Sequence, residues 1–331
     1  MKAVVYERHG NPAEVLHVRE LPPPKPGFRQ VRVRMLASPI NPSDLYTIEG
    51  RYGVTQTLPA TPGYEGAGIV EESGGGLLAM LRKGKRVAVI SAGGGAWKEQ
   101  VVVSARHVFP IPDNIPDEQA ATFFVNPATA LIMTRHVLKV PQGEWLLQSA
   151  AGSALGKMVI RLGRMAGFRT INVVRRPEQV DELKQLGADA VICDSTEDLP
   201  ERVKELTQGK GVRFAIDPVG GKTGTNVVRC LGLRGRALLY GLLSGQPIEV
   251  DPRNAITLST RVEGFWLSEW LQRQSVLRML RLFRQVRRLM GEGILQSEIA
   301  ATYSMDDIQK AAAHVQQDAR GGKIMLRLGT Q

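Results

Sequence analysis

The first third of the chain contains short runs of alternating or continuous apolar residues. Residues 31–35 (VRVRM) alternate apolar and polar positions, which predicts a strand with one buried face. Residues 87–90 (VAVI) form an apolar run that predicts a buried strand. Residues 22–27 (PPPKPG) predict a loop, because proline cannot donate a strand hydrogen bond. Glycine runs at 74–76 and 93–95 predict turns or close backbone approaches, so this region is expected to be β-rich.

A different pattern begins at residue 144, where short apolar runs alternate with segments of helical periodicity. Such strand–helix alternation predicts a parallel, doubly wound sheet. The tail changes again: Ser304 is predicted to be the N-cap of a helix, and residues 323–328 (KIMLRL) to form a strand. The predicted alternating elements are strand 145–149, helix 155–167, strand 170–174, helix 177–186, strand 190–192, helix 199–207 and strand 212–217, with later strands at 235–241 and 261–266.

The composition is that of a globular protein with excess positive charge. A length of 331 residues predicts about two domains, and 43% hydrophobic with 23% charged residues argues against a disordered or fibrous chain. The net charge of +11 favours anionic partners such as phosphorylated cofactors. Part of this charge lies on one predicted helix, as a solvated face or a docking site for an acidic partner. Its arginines at helical spacing are Arg278, Arg281, Arg284 and Arg288.

Several classes of protein are disfavoured by what the sequence lacks. Its 2 cysteines, Cys193 and Cys230, are too few for a disulfide framework or a cysteine zinc site. No zinc finger or RNA-binding aromatic motif accompanies the basic residues, so no nucleic-acid partner is expected. No apolar run approaches the roughly 20 residues that span a bilayer, and no signal or transit peptide is recognisable. We therefore expect a cytoplasmic protein with no membrane partner.

A small-residue turn and an arginine pair together predict an NADPH site. Residues 150–156 (AAGSALG) follow a predicted strand and precede a predicted helix. Small residues let the backbone approach a pyrophosphate, and a helix N-terminus directs amides and partial positive charge at it. Arg175 and Arg176 follow the next strand, where NAD enzymes tend to carry an acidic residue and arginine accommodates a 2′-phosphate. NADPH is therefore favoured over NADH.

The chain resembles the medium-chain dehydrogenase/reductase superfamily over nearly its whole length. The resemblance is carried by residues 37–44 (ASPINPSD), 62–68 (PGYEGAG) and 186–191 (LGADAV), together with the small-residue turn. It implies an α/β fold in which a doubly wound, parallel-sheet Rossmann domain that binds NADPH is inserted into a GroES-like, β-rich catalytic domain. The implied limits are 1–124 and 293–331 for the GroES-like domain and 125–292 for the Rossmann domain.

Both zinc sites of the superfamily's alcohol dehydrogenases are predicted to be absent. Those enzymes carry a cysteine before a Ser-Asp pair and a histidine in a Gly-His-Glu element. Here no cysteine stands near Ser43 and Asp44, and Tyr64 replaces the histidine. The cysteine-rich structural-zinc lobe is missing too, since no cysteine precedes Cys193. Without this Lewis acid, alcohol oxidation loses its usual stabilisation of an alkoxide, whereas reduction of an activated C=C bond remains feasible.

Within the superfamily, the chain is most similar to mitochondrial-type 2-enoyl thioester reductases and, more loosely, to NADPH:quinone reductases. The similarity implies NADPH-dependent hydride transfer to the β-carbon of a trans-2-enoyl thioester of coenzyme A or an acyl carrier protein. The segments that carry it are 40–45 (INPSDL) with 48–53 (IEGRYG), 125–130 (VNPATA), 169–175 (RTINVVR) and 264–270 (GFWLSEW).

The resemblance also implies roles for individual residues. Tyr52 matches the family's proton-donating tyrosine, and a phenol that stays protonated at neutral pH suits a developing enolate. Asn41 and Tyr64 are candidates for the substrate pocket, with turn stabilisation and space filling as open alternatives. Asp44 and Glu65 are expected to fix loops. The implied cofactor contacts are Asn126 and Thr129 at the nicotinamide end, Gly152, Ser153, Ala154 and Leu155 at the pyrophosphate, Arg175 and Arg176 at the 2′-phosphate, and Tyr240, Gly241, Phe265, Trp266, Leu267 and Lys323 along the cofactor.

Other functions and partners remain open at this point. A quinone reductase, or a reductase of small enones or haloacrylates, would use the same cofactor. A non-enzymatic cofactor- or RNA-binding protein is a remote alternative, kept by the net charge of +11. No bound metal is expected. The resemblance further implies a homodimer joined through the edge strands of the Rossmann sheets, and an acyl carrier protein is a candidate partner.

Overall fold

The computed structural model describes residues 1–53, 56–91, 93–317 and 321–329. The chain forms two compact units: the first unit is Met1–Asn126 with Leu280–Gln331, and the second unit is Pro127–Met279. The predicted domain limits, after residues 124 and 292, stay a prediction. No helix in the described ranges has the length and apolar content needed to cross a membrane.

Strands and helices follow each other along the chain as the alternating patterns predict. The strands of the described residues are β1 (Lys2–Val5), β2 (His17–Glu20), β3 (Gln30–Pro39), β4 (Glu65–Ser73), β5 (Arg86–Ile90), β6 (Gln100–Ser104), β7 (Val108–Pro110), β8 (Trp145–Gln148), β9 (Arg169–Val174), β10 (Ala190–Cys193), β11 (Val212–Asp217), β12 (Leu231–Leu239), β13 (Arg261–Gly264), β14 (Ile299–Ser304) and β15 (Lys323–Arg327). The α-helices are α1 (Pro12–Val15), α2 (Pro42–Ile48), α3 (Leu77–Arg82), α4 (Asp117–Ala121), α5 (Val125–Leu131), α6 (Ala154–Ala166), α7 (Glu178–Leu186), α8 (Leu199–Leu206), α9 (Gly221–Arg229), α10 (Pro252–Thr257), α11 (Leu267–Gln272), α12 (Val276–Gly291) and α13 (Ile308–Gln316).

The first unit is built on a seven-stranded sheet in the order β14-β15-β3-β4-β5-β7, with β6 paired to β3. Alternation along β3 puts Val31, Val33 and Met35 in the core, as the sequence predicts. The tail strand β15 pairs antiparallel with β3, so the C-terminal tail completes the N-terminal sheet. The predicted close approach at Gly74 is confirmed, because a Cβ there would overlap the carbonyl oxygen of Gly27.

The second unit contains a six-stranded sheet in the order β10-β9-β8-β11-β12-β13, and every pair in it is parallel. Numbered from β8, this is the 3-2-1-4-5-6 order of a Rossmann fold. The strand order reverses between β8 and β11, and ligands of such sheets bind beyond the carboxyl ends of the strands at this point. The predicted GroES-like and Rossmann architecture is confirmed.

Some predicted element ends differ from the structure. Ser304 is the N-cap residue as predicted, but of a 3-10 turn, Met305–Asp307, that leads directly into α13, and its hydroxyl donates to the Asp307 carboxylate over 2.8 Å instead of accepting an amide. The predicted strand 235–241 begins earlier, at Leu231, and ends at Leu239. Tyr240 therefore lies just beyond the carboxyl end of β12, among the loops that a parallel sheet uses for binding.

Candidate active site

A buried polar cluster lies in the first unit, where β3, β4 and β15 are neighbours. We define it as Asn41, Asp44, Glu65 and Lys323, none of which is more than 6% exposed. Lys323 Nζ donates to the side-chain oxygen of Asn41, and Asn41 Nδ2 donates to Glu65 over 3.0 Å. A lysine, an amide and a carboxylate thus form one continuous chain of hydrogen bonds.

Backbone register explains why residues so distant in sequence meet here. Met325 pairs with Pro39 in the antiparallel β15–β3 ladder, and continuing that register places Lys323 opposite Asn41. Glu65 is the first residue of β4, on the other side of β3. The cluster is therefore produced by strand pairing, and local sequence pattern alone does not reveal it.

The two carboxylates of the polar cluster hold the ends of helices. Asp44 accepts the backbone amide of Asn41 over 2.7 Å at the start of α2. Glu65 accepts the amides of Phe124 and Val125, both over 2.9 Å, at the start of α5. The prediction that these acids fix loops is thereby confirmed.

Burial perturbs both carboxylates of the polar cluster. Removal from water raises the pKa of Asp44 to about 7, opposed by the amide of Asn41, with the neighbouring Glu65 raising it further. Removal from water also raises the pKa of Glu65, while Lys323 and the amides that Glu65 accepts oppose the rise. Asp44 Oδ1 is buried and has no hydrogen-bond partner in the described residues. A carboxyl that changes charge near neutral pH therefore lies within this cluster.

Two tyrosines face each other near the polar cluster. The ring centroids of Tyr52 and Tyr64 are 6.0 Å apart and their planes differ by 49°. Thr47 Oγ1 donates to the carbonyl oxygen of Ser43 over 2.8 Å, so the 2.7 Å bond between Thr47 and Tyr64 has the Tyr64 hydroxyl as its donor. Burial raises the pKa of Tyr64, which keeps this phenol protonated. The Tyr64 hydroxyl is therefore bonded to a residue of α2, whereas Tyr52 is half-buried beyond the end of that helix.

In the second unit, the predicted pyrophosphate turn joins β8 to α6. Ser153 is the N-cap of α6, and its hydroxyl accepts the amide of Gly156 over 3.1 Å. The amides of Ala154 and Leu155 then remain at a helix N-terminus, where they have no partner within the helix. A Cβ on Gly156 would lie closer than 3.0 Å to three backbone atoms of Ala151, so only glycine fits this close helix–strand contact.

The other predicted cofactor residues of the second unit gather at the carboxyl ends of its strands. Arg175 and Arg176 follow β9, and the buried Arg176 Nη1 has no hydrogen-bond partner in the described residues. The buried hydroxyl of Tyr240 likewise has none there, and burial raises its pKa. Further residues that the structure places at strand ends are Gly241 after β12, and Phe265, the 43%-exposed Trp266 and Leu267 after β13.

The remaining predicted residues occupy α5 and the first unit. Asn126 and Thr129 lie on α5, one half-buried and the other buried. Lys323 belongs to the polar cluster, and its role as a cofactor contact stays a prediction. Trp270 packs against His136, with ring centroids 6.1 Å apart, and under the Arg278 guanidinium at 5.3 Å. That environment favours a packing role for Trp270.

Sequence reasoning missed an acid at the centre of the parallel sheet. Asp217 ends β11, is fully buried and accepts the Ser149 hydroxyl and the amides of Val219 and Gly220, the latter over 2.8 Å. Burial raises its pKa. An acidic residue at the end of a strand, at the point where strand order reverses, is the signal that could have identified it.

Comparisons with known proteins agree with this geometry. The family "Alcohol dehydrogenase GroES-like domain" matches residues 27–113, and the family "Zinc-binding dehydrogenase" matches residues 154–285. The human mitochondrial enoyl-[acyl-carrier-protein] reductase is 35% identical over 315 residues, which cover 94% of this chain and 84% of that protein.

Solved structures are similar over the whole chain. A Bacillus thuringiensis protein provisionally assigned as an NADPH:quinone reductase superposes with a TM-score of 0.92 and 37% identity, covering 99% of both chains. Escherichia coli quinone oxidoreductase, solved with NADPH, has a TM-score of 0.89 and 27% identity, covering 99% of this chain and 100% of that one. The chain therefore belongs to the medium-chain dehydrogenase/reductase superfamily of oxidoreductases, as its sequence resemblance indicates.

Proposed function

We propose that this oxidoreductase uses NADPH to reduce an activated C=C bond, with a trans-2-enoyl thioester of coenzyme A or an acyl carrier protein as substrate and Tyr52 as proton donor. The observation that carries the proposal is the tyrosine pair. The Tyr64 hydroxyl donates to Thr47 of α2, whereas the half-buried Tyr52 lies beyond the end of that helix and matches the family's proton-donating tyrosine. The enoyl reductases similar to this chain over 94% of its length support the choice of substrate.

The second unit would bind the NADPH. When bound, NADPH supplies the hydride for the β-carbon of the substrate. The α6 amides would hold the pyrophosphate, and Arg175 with the unpartnered Nη1 of Arg176 would hold the 2′-phosphate, for which a guanidinium has suitable charge and geometry. The buried Tyr240 hydroxyl offers one further donor to the cofactor. These groups fit a phosphorylated dinucleotide better than an unphosphorylated one.

The first unit would supply the proton. Reduction at the β-carbon leaves negative charge on the thioester oxygen and the α-carbon, and a nearby phenol both stabilises that charge and donates a proton. Tyr64 would support Tyr52 by ring contact, while its bond to Thr47 ties that contact to α2. Asn41 and Tyr64 would line the substrate pocket beside it.

The residues of the first unit do not fit a zinc ion, although one matching family is named for zinc. Where the zinc enzymes carry histidine, this chain has Tyr64, and its hydroxyl is occupied by Thr47. Across the described residues, no three His, Cys, Asp or Glu side chains come together in an arrangement able to hold a metal. No metal is included in the proposed chemistry.

Turnover with paired substrates and cofactors tests the proposal. NADPH oxidation is followed with crotonyl-CoA and with a benzoquinone, and both assays are repeated with NADH. We expect rapid turnover of crotonyl-CoA with NADPH and slow turnover with NADH, because the arginine pair favours the 2′-phosphate. Strong quinone activity with negligible thioester activity would replace the thioester with a quinone in the proposal.

Tyr52→Phe tests the proton donor. The change removes one hydroxyl and keeps the ring contact with Tyr64, so NADPH binding should be unchanged. Loss of a general acid lowers kcat by about 100-fold or more. Tyr64→Phe is the matched control, with a much smaller effect on kcat because that hydroxyl serves Thr47. Equal kcat in wild type and Tyr52→Phe would rule out Tyr52 as the donor.

A quinone or small-enone reductase is the second candidate function. It is favoured by the 37% identity to the Bacillus thuringiensis protein provisionally assigned as an NADPH:quinone reductase. The same arginine pair and turn would hold NADPH in that case. The crotonyl-CoA and benzoquinone assays separate the two candidates directly.

The proposal extends to assembly, partners and location. A homodimer would form through β13, which is an edge strand of the parallel sheet, and sedimentation at micromolar concentration checks it.

A carrier protein, being acidic, would dock on exposed Arg281 and Arg284, since no carboxylate of the described residues lies within 4.0 Å of either. Charge reversal of both arginines would then raise KM for a carrier-bound substrate and leave that for crotonyl-CoA unchanged. A cytoplasmic location is consistent with the unpaired thiols of Cys193 and Cys230.

A further inference from the structure

An open cavity of about 480 Å³ lies in the first unit, apart from the polar cluster. Its walls are neutral except for one lysine, and they contain no acidic side chain. This volume is within the range that holds a small ligand or part of a larger one. The residues that line it include Gln56, Thr57, Thr61, Gly94, Gly95 and Lys98.

Lys98 is an uncompensated cation in this wall. Its side chain is half-buried, and burial lowers its pKa. No carboxylate of the described ranges lies within 4.0 Å of its ammonium group, whereas other lysines of the same unit, such as Lys2 and Lys310, form ion pairs. A half-buried ammonium without an anion is costly, and a bound anion would remove that cost.

A glycine turn beside Lys98 keeps the cavity open. Gly94 and Gly95 have φ of 82° and 96°, a conformation that side chains rarely adopt. A Cβ on Gly95 would lie 3.5 Å from Lys98 Nζ, and one on Gly94 would overlap the Gln56 amide. The absence of side chains at these positions leaves the ammonium accessible from the cavity.

The cavity is connected by hydrogen bonds to the segment that carries Tyr64. The amides of Gly95 and Trp97 both donate to the carbonyl oxygen of Pro62, over 3.1 and 3.0 Å. The amide of Ala96 donates to the carbonyl oxygen of Gly63 over 3.0 Å. Tyr64 in turn contacts the Tyr52 ring. The wall that carries Lys98 is thus hydrogen-bonded to the segment that directly precedes Tyr64.

We propose that Lys98 and this cavity bind a phosphate group of the thioester substrate, carried on the pantetheine arm remote from the double bond. The inference rests on the proposed function, because enoyl thioesters of coenzyme A and of carrier proteins both carry phosphate esters on that arm, whereas quinones do not. Lys98 is then a specificity-determining residue: it contributes to substrate binding and takes no part in proton or hydride transfer.

The test is Lys98→Gln assayed on thioesters of decreasing phosphate content. Loss of one charge-assisted contact should raise KM for crotonyl-CoA about tenfold. The KM of the crotonyl thioester of N-acetylcysteamine, which has no phosphate, and kcat for both substrates should not change. Crotonyl-4′-phosphopantetheine tests the source of the phosphate: a raised KM for Lys98→Gln assigns the pantetheine phosphate, and an unchanged KM overturns that assignment.

Matched variants separate this contact from general effects. Lys83→Gln removes an exposed lysine of the same unit and should leave every KM unchanged. Lys98→Arg keeps the charge and should restore most of the affinity for crotonyl-CoA. Equal changes of KM for crotonyl-CoA and the N-acetylcysteamine thioester, or no change for either, would overturn the proposal.

A binding measurement distinguishes failure of this inference from failure of the proposed function. Coenzyme A is titrated calorimetrically into wild-type and Lys98→Gln protein saturated with NADP⁺, so that its phosphates do not compete for Arg175 and Arg176. Tenfold weaker binding to the variant supports the phosphate site even if no thioester is reduced. Equal binding to both proteins contradicts it even if crotonyl-CoA turns over.

Discussion

Asp44 gives this protein a pH-dependent stability that a single substitution should remove. The carboxyl is fully buried, one of its oxygens has no hydrogen-bond partner in the described residues, and Glu65 adds a second acid nearby. These features raise its pKa from 3.8 to about 7 in the folded state. Asp44→Asn keeps the shape and an oxygen for the Asn41 amide, but it removes the ionisation.

The direction of the effect follows from proton binding. Because the folded-state pKa of Asp44 lies above its ordinary value, the folded protein binds this proton more tightly than the unfolded chain does. The resulting stabilisation is fully present below about pH 4 and is lost as the pH rises through about 7. A shift from 3.8 to about 7 corresponds to about 4 kcal/mol across this window.

Urea unfolding at several pH values measures the effect as a difference between variants. Subtracting the unfolding free energy of Asp44→Asn from that of wild type cancels most contributions of the other groups. This difference should fall by about 4 kcal/mol between about pH 4 and pH 8. Asp113→Asn, a change at an exposed carboxyl, is the control for removing a carboxylate that is not buried.

A difference for Asp44→Asn that is constant across this range would refute the reasoning. It would mean that Asp44 is ionised throughout, with Lys323 and the backbone amides outweighing the cost of burial. A difference that rises with pH would show the same carboxyl to be stabilised as an anion, which is the ordinary behaviour of a paired aspartate.

Two further predictions concern the second unit. Charge reversal of Arg175 and Arg176 to glutamate should raise KM for NADPH about 100-fold with little change for NADH, as initial-rate kinetics with both cofactors will show; an equal rise for both cofactors would contradict the 2′-phosphate assignment. Gly156→Ala should lower the unfolding free energy by about 2 kcal/mol, because the added methyl would overlap the backbone of Ala151. Gly291→Ala, whose Cβ has no heavy atom within 4 Å, is its thermal-unfolding control, and equal melting temperatures would disprove the steric argument.

The sequence predicted the second unit well because its structure depends on local patterns. Each strand–helix repeat buries its own apolar positions, and right-handed connections leave few ways to arrange such repeats in a parallel sheet. The pyrophosphate turn and the arginine pair follow directly after strands, so their place at the binding edge could be read from order along the chain. The ends of elements were less predictable: β12 stops at Leu239, and the last hydrogen bond between β12 and β11 runs from the Tyr240 amide to the Asp217 carbonyl oxygen.

In the first unit, the contacts between distant residues could not be predicted from the sequence. Its polar cluster joins residues that are up to 282 positions apart, through a ladder in which the tail strand pairs with β3. The local sequence around Asn41 and Lys323 does not predict their contact, because the register between strands that are distant in the chain is set by the pairing of the whole sheet. The Lys98 cavity escaped notice for a related reason: an unpaired lysine is recognisable only when the absence of a neighbouring acid can be seen in three dimensions.

The unfavourable free energy of burying the polar cluster indicates what the cluster is for. Four polar side chains in an apolar core are less favourable than well-packed aliphatic ones unless every group is satisfied, and Asp44 is not fully satisfied. If the polar cluster served stability alone, we would not expect it to contain a carboxyl whose ionisation destabilises the folded state near neutral pH. Asp44 and Glu65 instead hold the starts of α2 and α5, which carry Tyr64's partner Thr47 and the predicted nicotinamide contacts Asn126 and Thr129. The cluster thus exchanges stability for the placement of the residues assigned to catalysis. Asp44→Asn, which keeps the oxygen that accepts the Asn41 amide, should be more stable at neutral pH, whereas Asp44→Ala, which removes that oxygen, should turn over substrate more slowly.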